Sequence, residues 1–304
     1  HPVAHSFPTR RSSDLVVTRG KRIEGVVLAN KAGLTVARAS QVVDATGDAD
    51  VAAMAGVPYD VDEHLQPLSL HFRVAGIRNV RAELRDLCGS VLEKLIKNGG
   101  LPSYGGPWLS QIGPDSINVN ATRTPGDGRN PWDVTNAETQ GREDAWAMFE
   151  AWKAEIPEFK DSVFLSSGPV AGVRETRRIR GVSQLTVDNA SKGIAQPDVV
   201  VKGAWYLDRH PSDSSGYHMH KVLRPYDIGY FTMVPQGCDN LLVAGRCHSA
   251  DSYALASSRV TVTAMGMGEA AGIAAAIASK GGTAPADIDI ATLQKELLNV
   301  GAII

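Results

Sequence analysis

Along the first hundred residues, the spacing of hydrophobic positions changes from one typical of strands to one typical of helices. From Ile23 to Ala45, two β-branched runs joined by a turn at Asn30 and Gly33 precede a third apolar run, Gln41–Ala45, so the pattern predicts a three-stranded meander. Strict alternation predicts a half-buried strand at 68–75. Apolar residues at helical spacing then predict a helix over 80–97, ended by an Asn-Gly-Gly turn.

The remaining two thirds of the chain contain fewer regular patterns. Residues 99–135 are rich in Gly, Pro, Asn and Ser, and they predict loops with one strand at 116–121. Further on, the pattern predicts a helix over 136–154, a short buried strand over 240–244, a helix rich in small residues over 259–278 and a last helix over 290–299.

Composition and charge narrow the class of protein. The 304 residues, 43% hydrophobic and 21% charged, are typical of a globular protein of about two domains. The formal net charge is −2 and the basic residues are scattered, which argues against nucleic acid or a membrane surface as a partner. The most apolar run, 260–278, is interrupted by Thr, Gly and Glu, so we expect no membrane span.

The cysteine content predicts the compartment of the protein. The odd set Cys88, Cys238 and Cys247 matches no disulfide framework or metal motif, which predicts a reducing compartment and a cytoplasmic location.

Residues 5–15, HSFPTRRSSDL, look like one reading frame of a sequencing adapter, and they join abruptly to a strand-like pattern near Val16. We therefore interpret residues 1–15 as a non-native artefact and exclude them from the fold.

Two predicted strands end in small-residue turns. VVDATGDAD (42–50) and LLVAGR (241–246) each place glycine at the carboxyl end of a buried strand, where open α/β sheets bind their ligands. The segment MGMGEAAGIAAA (265–276) reads as a glycine-bounded helix start, whose free N–H groups suit an anion or an electron-rich ring edge. A close-packed helix without a ligand is the alternative. A GxGxxA nucleotide motif is excluded here because no second apolar strand follows.

Taken in chain order, longer motifs carry a family resemblance. VVDATGDADVAAMAG, SLHFRVAG, GVRETRRIRG, the segment 239–276 and LQKELLNVGAII resemble the FAD-dependent oxidoreductase family with a glutathione-reductase-like FAD domain, over nearly all of 16–304. The resemblance implies FAD as cofactor and a small molecule as substrate. It also implies that three groups of residues contact FAD: Ala45, Thr46, Gly47 and Asp48; Ala244, Gly245 and Arg246; and Gly268, Ala270, Ala271 and Gly272.

The same resemblance predicts how the domains are arranged. The expected fold class is α/β, an incomplete Rossmann-like FAD-binding domain with a β-meander plus an inserted α+β substrate or cap domain. The FAD domain would comprise 16–66 and 240–280, the cap 67–239, and a C-terminal helix 281–304. Family members begin with a strand, a GxGxxG turn and a helix, and no such pattern precedes Val16. We therefore expect a C-terminal portion that binds FAD poorly and is inactive on its own.

Candidate catalytic residues must manage a proton or hold substrate charge beside the flavin. His248, Arg259 and Arg174 are the preferred candidates, although a structural histidine and ion-paired arginines are open alternatives. His218 and His220 lack a recognisable third ligand, so no metal site is predicted. The weaker candidates are Arg177, Arg178, His210, Tyr226 and Tyr230.

The predicted function is a two-electron redox reaction on a small molecule. The alternative is a non-catalytic fragment or ligand-binding domain of flavoprotein descent. A hydrolase is excluded because no GxSxG motif is present.

Overall fold

The structure is a computed structural model that describes residues 15–210, 221 and 223–304. The predicted adapter segment, apart from Leu15, and the pair His218 and His220 lie outside the described residues. The strands are β1 (Leu15–Arg19), β2 (Arg22–Asn30), β3 (Gly33–Ala37), β4 (Val42–Asp44), β5 (Tyr59–Asp60), β6 (Phe72–Ala75), β7 (Trp108–Gly113), β8 (Ser116–Asn120), β9 (Val163–Ser167), β10 (Arg178–Ile179), β11 (Val199–Gly203), β12 (Tyr226–Gly229) and β13 (Leu241–Val243). The helices are α1 (Asp50–Met54), α2 (Ala82–Lys97), α3 (Pro131–Glu155), α4 (Val187–Lys192), α5 (Ser252–Ser258), α6 (Thr261–Gly281) and α7 (Ile290–Asn299).

The described residues form two compact units. Unit 1 comprises 15–62, 177–208 and the chain from 221 onward, whereas unit 2 comprises 63–176 with 209 and 210. The first boundary lies close to the predicted one at residue 66. The return to unit 1 comes at 177 rather than at 240, because Ile179, Val200 and Val201 and the strand pair β11–β12 contribute to the unit 1 core.

Unit 1 is a mixed α/β unit built from small sheets. β1, β2 and β3 form an antiparallel meander, and β4 pairs in parallel with β13. The predicted meander therefore had the wrong third strand. The Asn240 side chain explains the pairing, since its Nδ2 donates to the carbonyls of Ile23 and Ser40 at 2.9 and 3.2 Å and so anchors the start of β13 beside both.

Unit 2 packs one antiparallel sheet against two helices. The sheet has the order β7-β8-β6-β9, and the predicted loop region thus contains a strand, β7, in addition to β8. Trp152 of α3 is fully buried; its ring lies 5.9 Å from that of Phe72, and its Nε1 donates to the Cys88 carbonyl of α2 at 3.1 Å. Helix α3 begins at Pro131, five residues before the predicted start, because the Asn130 side chain caps it.

Helix α6 is the one described helix long and apolar enough, by length and composition alone, to cross a membrane. Its residues Ala270, Ala271, Ala274 and Ala278 are fully buried in the core of unit 1. In its most apolar stretch, 33% of the residues are buried.

Candidate functional site

The two glycine turns predicted from the sequence lie side by side in unit 1. β4 and β13 are paired in parallel with Val42 opposite Leu241 and Asp44 opposite Val243. The strands therefore end at the same edge of the sheet, and the N–H of Ala244 donates to the Asp44 carbonyl at 3.0 Å. Residues 45–48 and 244–246 follow directly, so segments about 200 residues apart in sequence form one edge.

A buried carboxylate holds the first turn in shape. Asp44 is 1% exposed, and its Oδ1 accepts hydrogen bonds from the Thr46 N–H at 3.0 Å and the Thr46 hydroxyl at 2.7 Å. Its Oδ2 accepts from the N–H of Ala52 in α1 at 2.9 Å. The carboxylate therefore fixes the strand, the turn and the following helix together.

Gly47 is required by close approach as well as by conformation. Its φ is +82°, and a Cβ built on it would lie 2.6 Å from Arg246 Nη2. The Arg246 guanidinium thus covers the turn, with Nη1 3.0 Å from Asp48 Oδ1. No hydrogen bond of good geometry satisfies this buried nitrogen among the described residues. The Arg246 guanidinium therefore lies at the ends of β4 and β13 and can still donate a hydrogen bond.

The far side of the turn is held by a second arginine. Arg177 Nη1 donates to the Asp48 carbonyl at 2.9 Å and to Asp50 Oδ1 at 2.8 Å. Burial, and then the charge of Asp48, raise the pKa of Asp50 above its ordinary value. Ala49, at φ +55° and fully buried, adopts a conformation that most side chains avoid, so the surrounding contacts determine this backbone.

Helix α6 begins within two residues of the predicted helix start at 259, so the glycine segment lies in its interior. The segment 265–276 was expected to start a helix, but α6 begins at Thr261, and Gly266 and Gly268 lie within it. Their N–H groups therefore lie inside the helical hydrogen-bond ladder, and the predicted anion site at a helix start is wrong. The reason is that nothing after Val260 interrupts the helix, since glycine in a helix interior costs only about 1 kcal/mol.

The accessible side of α6 carries Gly268 and Gly272 as well as the larger exposed residues Val262, Met265 and Glu269. A Cβ built on Gly268 or Gly272 would meet nothing within 4 Å, and both residues are exposed. Ala270 and Ala271, predicted with them to contact the cofactor, are instead fully buried in the core. The first turn of α6 faces the second strand end, since a Cβ on Gly245, whose φ is +86°, would lie 3.7 Å from the Ala264 Cβ.

His248 is a fully buried histidine, three residues after Gly245. Its Nε2 lies 2.8 Å from Ser258 Oγ, and its Nδ1 has no hydrogen-bond partner among the described residues. Burial, and then the positive charge of Arg178, lower the pKa of His248 to about 3. The imidazole is therefore neutral at neutral pH.

This burial predicts a pH-dependent stability. Because the folded-state pKa of about 3 lies below the unfolded value of about 6.5, only the unfolded state takes up the proton between those values, and stability falls as pH falls. We expect His248 to lower the free energy of unfolding by about 2 kcal/mol between pH 7 and pH 5. Urea unfolding of the parent and of His248→Gln at both pH values measures this. An equal pH dependence in both proteins would contradict it.

The two candidate arginines lie in different units. Arg259 caps the end of α5, and its Nη2 donates to the Asp208 carbonyl at 2.8 Å and lies 3.2 Å from Asp208 Oδ2. Arg174 belongs to unit 2, where it is 9% exposed and its Nη1 donates to the Pro67 carbonyl. Arg259 is thus the candidate that shares a unit with the strand-end site.

Three partners in this region were not predicted from the sequence. They are Asp44, which organises the first turn, Ser258, which contacts His248, and Asp208, which pairs with Arg259.

Among the described residues, no group of three His, Cys, Asp or Glu side chains could hold a metal ion.

The residues at the paired strand ends suit a large anionic cofactor. Gly47 and Gly245 let the backbone come close, Arg246 supplies a positive charge, and Gly268 leaves open space over α6. Unit 1 is thus a mixed α/β unit in which two glycine turns share one sheet edge. A model of the family described as FAD dependent oxidoreductase matches residues 6–297, and the chain belongs to this family. FAD is the cofactor of this family.

Comparisons with individual proteins give weaker likenesses. No curated protein matches this chain. A triple mutant of the flavin-dependent brominase Bmp2 matches with TM-score 0.42 and 14% identity, over 94% of this chain and 54% of that one. A geranylgeranyl bacteriochlorophyll reductase-like protein from Thermoplasma acidophilum matches with TM-score 0.40 and 12% identity, over 96% and 62%.

Iminodiacetate oxidase from Chelativorans sp. BNC1 matches with TM-score 0.35 and 12% identity, over 92% of this chain and 51% of that one. The chain thus spans between about half and two thirds of the length of these three solved proteins. Inferences about substrate chemistry therefore rest on the residues of this chain.

Proposed function

We propose that FAD binds along the edge formed by the ends of β4 and β13, and that the protein carries out a two-electron redox reaction on a small molecule. Residues 45–48 and 244–246 would hold the cofactor, and Gly268 and Gly272 would let it approach the backbone of α6. The observation that carries the proposal is the packing of Arg246 over Gly47 at adjacent strand ends.

The residues at this edge have distinct roles in the proposal. FAD, when bound, supplies the two-electron redox chemistry. Arg246 would orient an anionic part of the cofactor, since its guanidinium is the positive charge nearest the glycine turn. The Asp48 carboxylate partly neutralises the charge of Arg246 and holds the arginine side chain in place.

The three catalytic candidates divide into positioning and binding roles. His248 is fully buried and contacts Ser258, the residue before Arg259, so we propose that it positions Arg259 rather than exchanging protons. Arg259, partly accessible and tied to Asp208, would hold substrate charge. Arg174 lies in unit 2, and its role stays a prediction.

The sheet at this site has one open edge, which we propose takes a further strand. β13 is covered on its second side, where the Val243 N–H donates to the Met233 carbonyl at 2.9 Å. β4 pairs with no strand other than β13 among the described residues, and Val43 is 37% exposed. Parallel sheets are normally buried on both faces, and an unpaired strand edge is a template for a further strand. The incomplete Rossmann-like domain expected from the sequence would be completed here by a strand, a glycine turn and a helix.

Flavin binding tests the proposal directly. We expect this polypeptide to bind FAD weakly, and the same polypeptide extended upstream by a strand–glycine turn–helix segment to bind one FAD. Flavin absorbance after gel filtration measures the stoichiometry. Stoichiometric flavin without the added segment would contradict the open-edge proposal alone, whereas no flavin in either form would contradict the proposed function.

Replacing Arg246 tests the strand-end site itself. We expect Arg246→Gln to weaken FAD binding about 10-fold or more, because a charge-assisted hydrogen bond contributes about 1.5–3 kcal/mol. Quenching of flavin fluorescence in the form that binds FAD measures the affinity. Arg38→Gln, an exposed change in the same unit, is the matched control and should leave the affinity unchanged. Equal affinities in all three proteins would place FAD elsewhere.

A further inference from the structure

One short segment of unit 1, residues 177–180, hydrogen-bonds to both turns at the cofactor edge. At the first turn, Arg177 Nη1 donates to the Asp48 carbonyl at 2.9 Å. At the second turn, the Ile179 N–H donates to the Cys247 carbonyl at 2.9 Å. The segment therefore joins two turns that lie about 200 residues apart in sequence.

The arginines of this segment have different partners within unit 1. Arg177 is directed at the first turn, and the next residue, Arg178, donates from Nε to the Ala250 carbonyl at 2.9 Å. Arg180 is exposed, and its Nη2 pairs with Asp60 Oδ1 at 2.7 Å, outside the turn. Arg180 is therefore a matched control for Arg177, since both belong to one motif and both form an ion pair.

The Arg177 side chain is held at the start of helix α1. Its Nη1 lies 2.8 Å from Asp50 Oδ1, and only 18% of the side chain is exposed. The guanidinium carbon lies 5.5 Å from the centre of the Tyr59 ring, a distance at which a cation is attracted to the ring. The N–H of Asp50 donates to Thr46 Oγ1 at 3.1 Å. The ion pair is thus attached to the turn through backbone as well as side chain.

Two ion pairs among the described residues hold this turn. Arg177 lies against Asp50, and Arg246 Nη1 lies 3.0 Å from Asp48 Oδ1. All four side chains are mostly buried, so water screens their charges only in part. A carboxylate that loses its partner in such a place is attracted to the nearest remaining cation. Without Arg177, both carboxylates would face Arg246, the other guanidinium on the turn.

We propose that Arg177 is a positioning residue for the cofactor: by pairing with Asp50, it leaves Arg246 with the Asp48 carboxylate alone and so with charge to offer an anionic part of FAD. The inference rests on the proposed function in that this anion belongs to FAD bound at the ends of β4 and β13. Arg177 acts through the turn and needs no contact with the cofactor. Its role is one of charge, which distinguishes it from a residue that only supports the shape of the turn.

The affinity for FAD of the extended polypeptide tests this charge argument. We expect Arg177→Gln to weaken FAD binding about 10-fold, because Asp50 is then attracted to Arg246. The double variant Arg177→Gln with Asp50→Asn also removes the surplus carboxylate, so it should bind FAD within about 3-fold of the parent. Arg177→Lys keeps the charge and should lose less affinity than Arg177→Gln. Arg180→Gln should bind FAD as the parent does.

Side-chain NMR of Arg246 gives a readout that needs no flavin. In the full chain labelled with 15N-arginine, the Arg246 Nε–H resonance is identified by its loss in Arg246→Gln. We expect this resonance to shift in Arg177→Gln, because the guanidinium then faces a second carboxylate. It should return toward its parent position when Asp50→Asn is added, and Arg180→Gln should leave it in place.

These measurements separate the proposal from the proposed function. An unmoved Arg246 resonance in Arg177→Gln would overturn the proposal whether or not flavin binds. So would a double variant that binds FAD as weakly as Arg177→Gln does. If Arg177→Gln does not fold, Asp50→Asn alone decides: we expect it to bind FAD at least as tightly as the parent, and a loss of about 10-fold would overturn the proposal. Absence of flavin from the extended parent contradicts the proposed function itself, and the role of Arg177 toward FAD with it.

Discussion

Replacing Asp44 by alanine is expected to lower the free energy of unfolding of unit 1 by about 3–5 kcal/mol. The Asp44 carboxylate accepts three hydrogen bonds, from the Thr46 N–H, the Thr46 hydroxyl and the Ala52 N–H. Its loss leaves the buried Ala52 N–H without an acceptor, which costs about 1–3 kcal/mol, and the part-buried Thr46 N–H and hydroxyl lose their acceptor as well. Urea unfolding followed by circular dichroism measures the change.

Two further variants make this expectation specific to the hydrogen bonds. Asp44→Asn keeps one acceptor oxygen but turns an NH2 group toward a donor, so we expect an intermediate loss. Asp239→Ala removes an exposed carboxylate in the same unit and should change stability by less than about 0.5 kcal/mol. A loss below about 1 kcal/mol in Asp44→Ala would show that Asp44 does not hold the turn.

The elements that the sequence predicted well are those with local signals. Helix α7 has its predicted bounds, because helical spacing of Leu293 and Leu297 coincides with an Asp289 cap that accepts from the Thr292 N–H at 2.9 Å. Helix α2 likewise starts within two residues of its prediction and ends where predicted. In both helices, the hydrophobic periodicity and the residues that start or stop the helix indicate the same bounds.

The errors in the fold come from non-local pairing. The run at 41–45 looks like a meander strand, yet β4 pairs with a strand about 200 residues later, and no local pattern encodes that partner. Strand β7 lies within a stretch rich in glycine and proline, which hid its pairing with β8. The structure also places the return to unit 1 before residue 240, since contacts of Val200 and Tyr226 define it rather than a change of composition.

The sequence indicated that the two glycine turns would meet, but it did not indicate the contacts around them. The two glycine turns were expected to meet and they do, because strands ending in small residues share one sheet edge. The burial of His248 and its contact with Ser258 depend on how α5 packs, which a motif does not reveal. Asp208, the partner of Arg259, lies 51 residues away in sequence. The roles of these residues stay predictions.

Helix α6 offers a test in which stability and cofactor binding change in opposite directions. A Cβ on Gly268 meets nothing within 4 Å, so Gly268→Ala should stabilise unit 1 by about 0.5–1 kcal/mol through helix propensity. Gly89→Ala in α2, whose Cβ would only touch Pro107 at 3.6 Å, should stabilise unit 2 in the same way. Thermal unfolding of both variants measures these gains.

The larger variant Gly268→Leu is then expected to weaken FAD binding by between about 10-fold and about 100-fold, while the protein stays folded. A leucine on the exposed side of α6 would occupy the space we assign to the cofactor, and overpacking of this kind costs about 1–3 kcal/mol. Flavin fluorescence titration measures it in the extended polypeptide. Gly89→Leu is the size-matched control. If Gly268→Leu bound FAD as well as Gly89→Leu does, the open side of α6 would serve no close approach of the cofactor.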